Sequence, residues 1–391
     1  MAKLWKKLPP LMADNFGFIE VMNKTDGMGV IDDCSEYRTS AERRRGHRRA
    51  GADGMRVVHT EISSENVVSG TRQKVLDAFW NYREVFEPQF TLFSAAPCSA
   101  MIGTDLEEIA ETVEQESGVK AAAVKLSGHK AYDAGISETL LALVKLLAKP
   151  GKVRLGSLNI LGVNTLDWQE DNTAFVRKWV EEQGFQVIAA PGTMEKAANI
   201  EKMSEASVNL AVTASGLAAA KYLKKQYGTP YIAMAPFGKS WTGGMLAAFQ
   251  TKEQPGNSAQ PENGQPEILI ISEQLMGNAL RETLIRDYGM KNIQVCTFYT
   301  LEKTLAWPGD RRIKGEDDAE ELLKKGGFHL IIADPLLRSL ASDKSRWIDL
   351  PHKAFELYGE HSPLPLLFGD NLNQWLEEKG ITVEGTRRTI L

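Results

Sequence analysis

The sequence predicts an α/β protein made of three Rossmann-like units with parallel sheets. Three observations carry that expectation. Short apolar runs alternate with helix-length amphipathic stretches along most of the chain, the pattern of parallel strands joined by crossover helices. At 391 residues the chain exceeds what one hydrophobic core usually holds. Two breaks, at Lys149-Pro150-Gly151-Lys152 and at Thr251 to Glu267, divide the alternation into units.

Taken in order, residues 1–150 hold a less regular N-terminal arm and the first α/β unit. Its strands are expected at Met55 to Val58, Phe90 to Ala95 and Ala121 to Leu126, with helices over Thr71 to Phe86, Thr104 to Glu116 and Ser137 to Leu147. Residues 151–250 form the second unit. It begins with a strand at Ser157 to Val163 and a helix from Asn172 to Gln183 that ends at Gly184, a residue suited to the left-handed position after a helix. Strands at Phe185 to Ala190, Ser207 to Thr213 and Pro230 to Ala235 follow, with a helix reaching Tyr227. Residues 251–267 are rich in Gln, Pro, Asn and Gly and contain no large apolar residue, which reads as an exposed linker. Residues 268–391 are the third unit and a C-terminal tail. Strands are expected at Ile268 to Ser272, Ile293 to Tyr299 and Phe328 to Ala333, and a helix at Ala319 to Lys325 ends at Gly326-Gly327.

The totals exclude several classes. A formal net charge of −5 gives no overall reason to expect nucleic acid as a partner. No apolar run reaches the roughly 20 residues of a membrane span, and the start MAKLWKKLPPLMAD lacks a signal-peptide core. The expectation is a cytoplasmic protein. Three scattered cysteines, Cys34, Cys98 and Cys296, form no disulfide framework and no CxxC pair. A metal, if held, needs ligands gathered by the fold or shared between subunits.

The stretch FTLFSAAPCSAMIGTDLEEIAET, Phe90 to Thr112, organises the chain. It reads as a buried strand, a turn at Pro97-Cys98, and a helix capped by Thr104 with Glu107 three residues on. Leu106, Ile109 and Val113 supply the buried stripe. Cys98 thus falls beyond a strand end and beside a helix start, where ligands of α/β sheets bind and a thiolate is favoured. Cys34, in VIDDCSEY, follows Asp32 and Asp33 at another strand end, and its spacing alone leaves core packing and ligation open. Cys296, inside IQVCTFY, reads as a core residue.

Some motif fragments fail. Gly238-Lys239-Ser240 resembles the end of a phosphate-binding loop, but Ala233 stands where the leading glycine belongs. His59-Thr60-Glu61 with Pro97-Cys98 approaches a zinc-deaminase signature, but Met101 replaces its second cysteine. The run Arg43, Arg44, Arg45, His47, Arg48 and Arg49 has two readings, a solvated loop or a clamp for an anionic substrate, because guanidinium groups pair bidentately with carboxylates and phosphates.

VHTEISSENVVSGTRQKVLDAF, FTLFSAAPCSAMIGTDLEEI and VKLSGHKAYDAGISETLLAL resemble the first domain of nitrogenase component 1 proteins. LNILGVNT, VEEQGFQVIAAPGTMEKAANIEKMSEASVNLAV and YGTPYIAMAPFG resemble the middle domain, and MKNIQVCTFYTLEKTL with FHLIIADPLLRSL the last. That family implies paired cytosolic subunits of three α/β domains, an iron–sulfur cluster at the subunit interface, and electrons delivered by a separate ATP-hydrolysing iron–sulfur reductase. Family members reduce dinitrogen, tetrapyrrole precursors or other recalcitrant substrates, or act as scaffolds for cofactor assembly.

Residue by residue, the resemblance implies that Cys98, followed by Ile102-Gly103-Thr104-Asp105-Leu106, is a cluster ligand. Cys34 matches a second ligand more loosely, since Ile31-Asp32-Asp33 stands where the family carries His-Gly-Pro-x-Gly, and Asp33 is a candidate oxygen ligand. A third, earlier cysteine of full nitrogenase subunits is missing. Two cysteines per chain supply four in a symmetric dimer, enough for one [4Fe-4S] cluster. Thr213 stands where nitrogenases anchor their catalytic cofactor through cysteine, so no iron–molybdenum cofactor and no dinitrogen reduction are expected. His352 lies near the family's histidine ligand, and His352 and His361 are candidate proton donors. The implied function is a nitrogenase-like reductase subunit acting on an organic or tetrapyrrole-like small molecule, in a homo- or hetero-oligomer. The alternatives are a non-catalytic scaffold for metallocofactor assembly and a cluster-less relative that binds a small molecule.

Overall fold

A computed structural model describes residues 5–34, 56–256, 258, 265–341, 345–355 and 363–382. Arg43 to Arg49 and His361 lie outside the described residues.

Three sheets, each wholly parallel, organise the chain. The first contains β1 (Met28–Asp32), β2 (Val57–His59), β3 (Thr91–Ala95) and β4 (Ala121–Ala123) in the order β2-β1-β3-β4. The second contains β5 (Arg154–Leu161), β6 (Gln186–Val187), β7 (Ala206–Ala211) and β8 (Tyr231–Ala233) in the order β6-β5-β7-β8. The third contains β9 (Ile268–Ile271), β10 (Ile293–Thr297), β11 (Arg311–Arg312), β12 (Leu330–Ala333) and β13 (Arg346–Asp349) in the order β11-β10-β9-β12-β13. In each sheet the chain winds outward from a central strand and then returns to its other side. That reversal leaves a crevice at the carboxyl ends of two neighbouring strands, the position where open α/β sheets bind ligands. Buried strands such as Thr91–Ala95 and Ile268–Ile271 have no exposed face, as sheets covered by helices on both sides require.

The expected strands are present, most of them shorter than the apolar runs. The expected Thr71 to Phe86 helix occupies Arg72–Arg83, and the expected Ser137 to Leu147 helix begins earlier, at Tyr132. The Asn172 to Gln183 helix is the second part of a longer one, Thr165–Glu182, kinked where Gln169 adopts φ 57°. Gly184 takes the left-handed conformation expected after it. The helix Asp14–Met22 has no counterpart in the amphipathic pattern, because all nine of its residues are buried. It crosses the Tyr132–Leu147 helix so closely that a Cβ on Gly135 would lie 1.8 Å from the Asp14 carbonyl oxygen. Glycine is the residue that permits such backbone approach.

Two local expectations around the organising stretch are corrected. Pro97-Cys98 begins a short helix, Pro97–Ile102, with Pro97 in its first turn, where the missing N–H costs nothing. The following helix runs from Leu106 to Ser117 and is capped by Asp105, whose side chain accepts from the Glu108 N–H at 3.0 Å. Thr104 instead hydrogen-bonds Thr71 through their hydroxyls, at 2.5 Å.

Candidate functional site

The carboxyl ends of β1, β2 and β3 gather the residues the sequence singled out. Asp32 closes β1 with a fully buried side chain. Its carboxylate accepts from the hydroxyls of Thr60, at 2.8 Å, and Thr71, at 2.7 Å. Burial pushes the Asp32 carboxyl upward, and hydrogen bonds from Thr71, Thr60, Ser99 and Thr104 oppose that rise. One buried carboxylate therefore ties the end of β1 to the loop after β2 and to the helix that carries Cys98. Next in the chain, the Asp33 carboxylate meets His59 Nδ1 at 2.5 Å, so this oxygen is engaged by the imidazole. Cys34 then pairs with Ile62 as an isolated parallel bridge.

Cys98 and Cys34 are brought near each other, close enough that the backbone and side chain of Cys34 both act on the Cys98 thiol. Both residues are half-buried. Burial pushes the Cys98 thiol up, while the Cys34 backbone draws it down and the Cys34 side chain raises it. The separate helix Leu106–Ser117 does not receive Cys98 at its amino end. Met101, on the Cys98 helix, is 85% exposed, and Val68, on the helix that follows Ile62, is 90% exposed. The helix Ser64–Ser69, which carries Val68, has no buried residue. A helix without a buried face gains nothing from its own chain's core. Among the described residues, no group of three or more His, Cys, Asp or Glu side chains could hold a metal. Two adjacent thiols fit half of a four-cysteine cluster site.

Cys296 lies fully buried in β10, and burial pushes its thiol up to about 12. It is a core residue.

A second polar centre lies where the three sheets' crevices meet. His352 is held at both ring nitrogens. Nδ1 is 3.2 Å from the Ala354 N–H, which donates to it, and 3.1 Å from the Tyr299 hydroxyl. Nδ1 is therefore an acceptor, which leaves the proton on Nε2. Nε2 lies 2.9 Å from Asp167 Oδ1 and 3.2 Å from the Tyr132 hydroxyl. Tyr132 also donates to Asp167 Oδ1, and Asn164 donates to Oδ2 at 2.7 Å. Burial, then the charge of Asp167, raises both tyrosines well above the usual phenol range. Glu273, at the end of β9, accepts from the N–H groups of Ala214, Leu275 and Met276 at 2.8, 2.9 and 3.0 Å. Its carboxyl is pushed up to about 8, first by burial and then by Asp167. Thr213 is buried and donates to the Gly162 carbonyl at 2.7 Å. The sequence pointed to His352 and Thr213 but not to Tyr132, Asp167, Tyr299 or Glu273.

Beside this centre is an open cleft of about 510 Å³ between the N-terminal segment, the 128–131 loop and the 312–314 loop. Trp5, Leu11 and Phe298 give it apolar walls, and His129, Lys130, Arg312 and Lys314 give it basic ones. Gly128, at φ 71°, lies so close to Pro97 that an added Cβ would meet that ring at 2.2 Å. The loop that lines the cleft thus packs against the residue preceding Cys98. The sequence signal was the Gly128-His129-Lys130 step after β4, legible only as part of a longer resemblance.

Three parallel sheets, with the two cysteines beyond the strand ends of the first, define the class as an α/β protein of three doubly wound units. The particular family follows from comparison. The family described as Nitrogenase component 1 type Oxidoreductase matches residues 33–251, more than half of the chain, and the chain belongs to it. One subunit of the light-independent protochlorophyllide reductase of Nostoc punctiforme (strain ATCC 29133 / PCC 73102) is 24% identical over 206 residues, which is 49% of this chain and 41% of that protein. The chain thus spans less than half the length of that relative. Two solved structures share the fold. Nitrogenase Cp1 at pH 6.5 gives a TM-score of 0.71 at 14% identity, covering 100% of this chain and 96% of the other. Nitrogenase Cp1 at pH 5 gives 0.67 at 15% identity, covering 100% and 90%. Among the described residues no helix is long and apolar enough to cross a membrane.

Proposed function

We propose that this chain is a nitrogenase-like oxidoreductase subunit that reduces an organic, tetrapyrrole-like small molecule. Electrons come from an ATP-hydrolysing iron–sulfur reductase, through a cluster shared with a homologous or identical subunit in the cytoplasm. The observation that carries this reading is the proximity of Cys34 and Cys98 beyond the carboxyl ends of β1 and β3. Two thiols from each of two subunits would hold a [4Fe-4S] cluster, which when bound supplies one-electron transfer. The relative named as part of a protochlorophyllide reductase supports the substrate class.

The chain's own residues have assignable roles in this reading. Asp32, through Thr60, Thr71 and Ser99, fixes the Cys34 segment and the Cys98 helix relative to each other. The basic cleft receives the substrate, and the Gly128–Pro97 contact keeps it next to the Cys98 helix. His352 holds a proton on Nε2 behind the cleft, with Tyr132 and Asp167 as its partners. Arg43, Arg44, Arg45, Arg48 and Arg49 remain candidate substrate clamps and His361 a second candidate proton donor, all outside the described residues. A second reading, a non-catalytic scaffold for cofactor assembly, is favoured by one observation: both His352 ring nitrogens are already engaged within the chain.

Iron and acid-labile sulfide per chain, with an EPR spectrum, test the redox reading on anaerobically purified protein and its Cys98→Ala and Cys34→Ala variants. One shared [4Fe-4S] cluster requires about two irons per chain, lost in both variants. Protein that takes up no iron after anaerobic reconstitution would overturn the redox reading. Turnover with a matching reductase separates enzyme from scaffold.

A further inference from the structure

We propose that Cys34 and Cys98 are also the two halves of a reversible disulfide, so that a chain holds either this bond or its share of iron. The consequence for iron rests on the cluster reading; the bond itself rests on where the fold puts the two thiols.

β1 and β3 are adjacent parallel strands with Asp32 opposite Ala95, and the Ala96 N–H donates to the Asp32 carbonyl at 2.9 Å. Neighbouring strands run about 4.8 Å apart, inside the roughly 4.4–6.8 Å between Cα atoms that a disulfide spans. Cys34 lies two residues beyond Asp32 and Cys98 three beyond Ala95. The helical turn that begins at Pro97 keeps Cys98 close to the strand end instead of carrying it away. The outcome is a proximity in which the backbone and side chain of Cys34 both act on the Cys98 thiol.

The pair is also held in place. The Asp32 carboxylate accepts from Thr60, just after β2, from Thr71, and from Ser99, the neighbour of Cys98 in the chain. Cys34 itself pairs with Ile62 as a parallel bridge. Groups fixed on one frame react at an effective concentration far above that of free partners, which favours a bond within the chain over one between chains. Both thiols are half-buried, open enough for a small oxidant. Cys296 is fully buried and its thiol is pushed up to about 12, so it stays unreacted.

The oxidant is a low-molecular-weight disulfide such as oxidised glutathione. One cysteine thiolate attacks it, the small disulfide's S–S bond breaks, and one small thiol leaves. The second cysteine thiolate then attacks the protein-bound sulfur of the mixed disulfide, which forms the Cys34–Cys98 bond and releases the second small thiol. The two cysteines give up two protons and two electrons, and the two released thiols carry them. Excess small thiol reverses both steps. Sulfurs joined to each other are not the thiolates a cluster requires, so bond and iron exclude each other.

The test treats iron-free protein with oxidised glutathione, alkylates it in denaturant without reduction, and reads intact mass and peptide map. The parent should show one alkylated cysteine, Cys296, and a Cys34–Cys98 cross-linked peptide; dithiothreitol before alkylation should return all three cysteines of the chain. Cys34→Ser and Cys98→Ser, each lacking the second nucleophile, should stop at the glutathione mixed disulfide with no cross-link. Three alkylated cysteines in the treated parent, glutathione adducts that do not resolve, or cross-links between chains or to Cys296 overturn the proposal. Anaerobically reconstituted protein in the same oxidant should keep its iron and form no cross-link, and a cross-link that forms with the iron still bound overturns the exclusion. Protein that takes up no iron sinks the cluster reading and leaves the masses of the iron-free chain to decide the bond by themselves.

Discussion

The cysteine rim and the His352 centre sit at equivalent ends of parallel strands, yet they solve opposite problems. At the rim, two thiols stand near each other, and among the described residues no group of three or more potential metal ligands forms around them. At the centre, every polar group of the Tyr132–Asp167–His352–Tyr299 set meets another within the same chain. A site whose donors are left over needs something from outside; a site whose donors are consumed holds its own chain together. The contrast favours the rim as the region for the external chemistry we propose, and makes the His352 centre the bolt between the three sheets.

The largest effect expected is on that bolt. Asp167→Ala removes the acceptor shared by Tyr132, His352 and Asn164, all buried. Leaving such donors unmet costs about 1–3 kcal/mol each, so a loss of about 3 kcal/mol in urea unfolding is expected, with iron uptake per folded chain unchanged. Cys98→Ala should do the reverse, abolishing iron uptake at small cost in stability. If Asp167→Ala removed iron and left stability intact, the division between the two regions would be wrong.

A pH experiment sharpens the same division. Glu273 titrates at about 8 in the folded chain against an ordinary 4.5, so the folded state binds a proton that the unfolded state has released in between. Stability from this group is fully present below about pH 4.5, declines as pH rises, and is gone above about pH 8. Burial raises Asp32 and Asp133 as well, which adds to the decline in the acidic part of that window. Glu273→Gln, which keeps an oxygen acceptor, should flatten the fall in unfolding midpoint between about pH 6 and about pH 8. A slope identical to the parent's would show that Glu273 does not carry the proton.

The two regions also differ in how far the sequence reveals them. The sheets are legible because buried parallel strands are continuous apolar runs, and Cys98 is legible because it falls just past such a run. The His352 centre is not, since Tyr132 and His352 lie 220 positions apart and Asp167 and His352 lie 185 apart, far beyond any local spacing rule. The Asp14–Met22 helix is hidden because burial on all sides erases the amphipathic period. The apolar run overstates the strand at Ile188 to Ala190, where apolar residues are buried without belonging to a strand. The helix cap shifts by one residue because both Thr104 and Asp105 are chemically able caps, and only the tertiary contact of Thr104 with Thr71 decides between them.

That last point gives the smallest expected effect and the finest test of the rim. Asp105→Ala removes the acceptor for the Glu108 N–H and should cost about 1 kcal/mol of stability. Iron uptake should not change, because Asp105 is exposed and is not among the hydrogen-bond partners of Asp32. Thr104→Val leaves the cap in place but removes a hydroxyl that reaches both Thr71 and Asp32. It should therefore loosen the carboxylate that fixes the Cys34 and Cys98 loops, and show its effect as faster loss of iron to a chelator rather than as a lower melting temperature. The reverse assignment, with Thr104→Val losing helix stability and Asp105→Ala losing iron, would restore Thr104 as the cap and remove Asp32 from the support of the thiol pair.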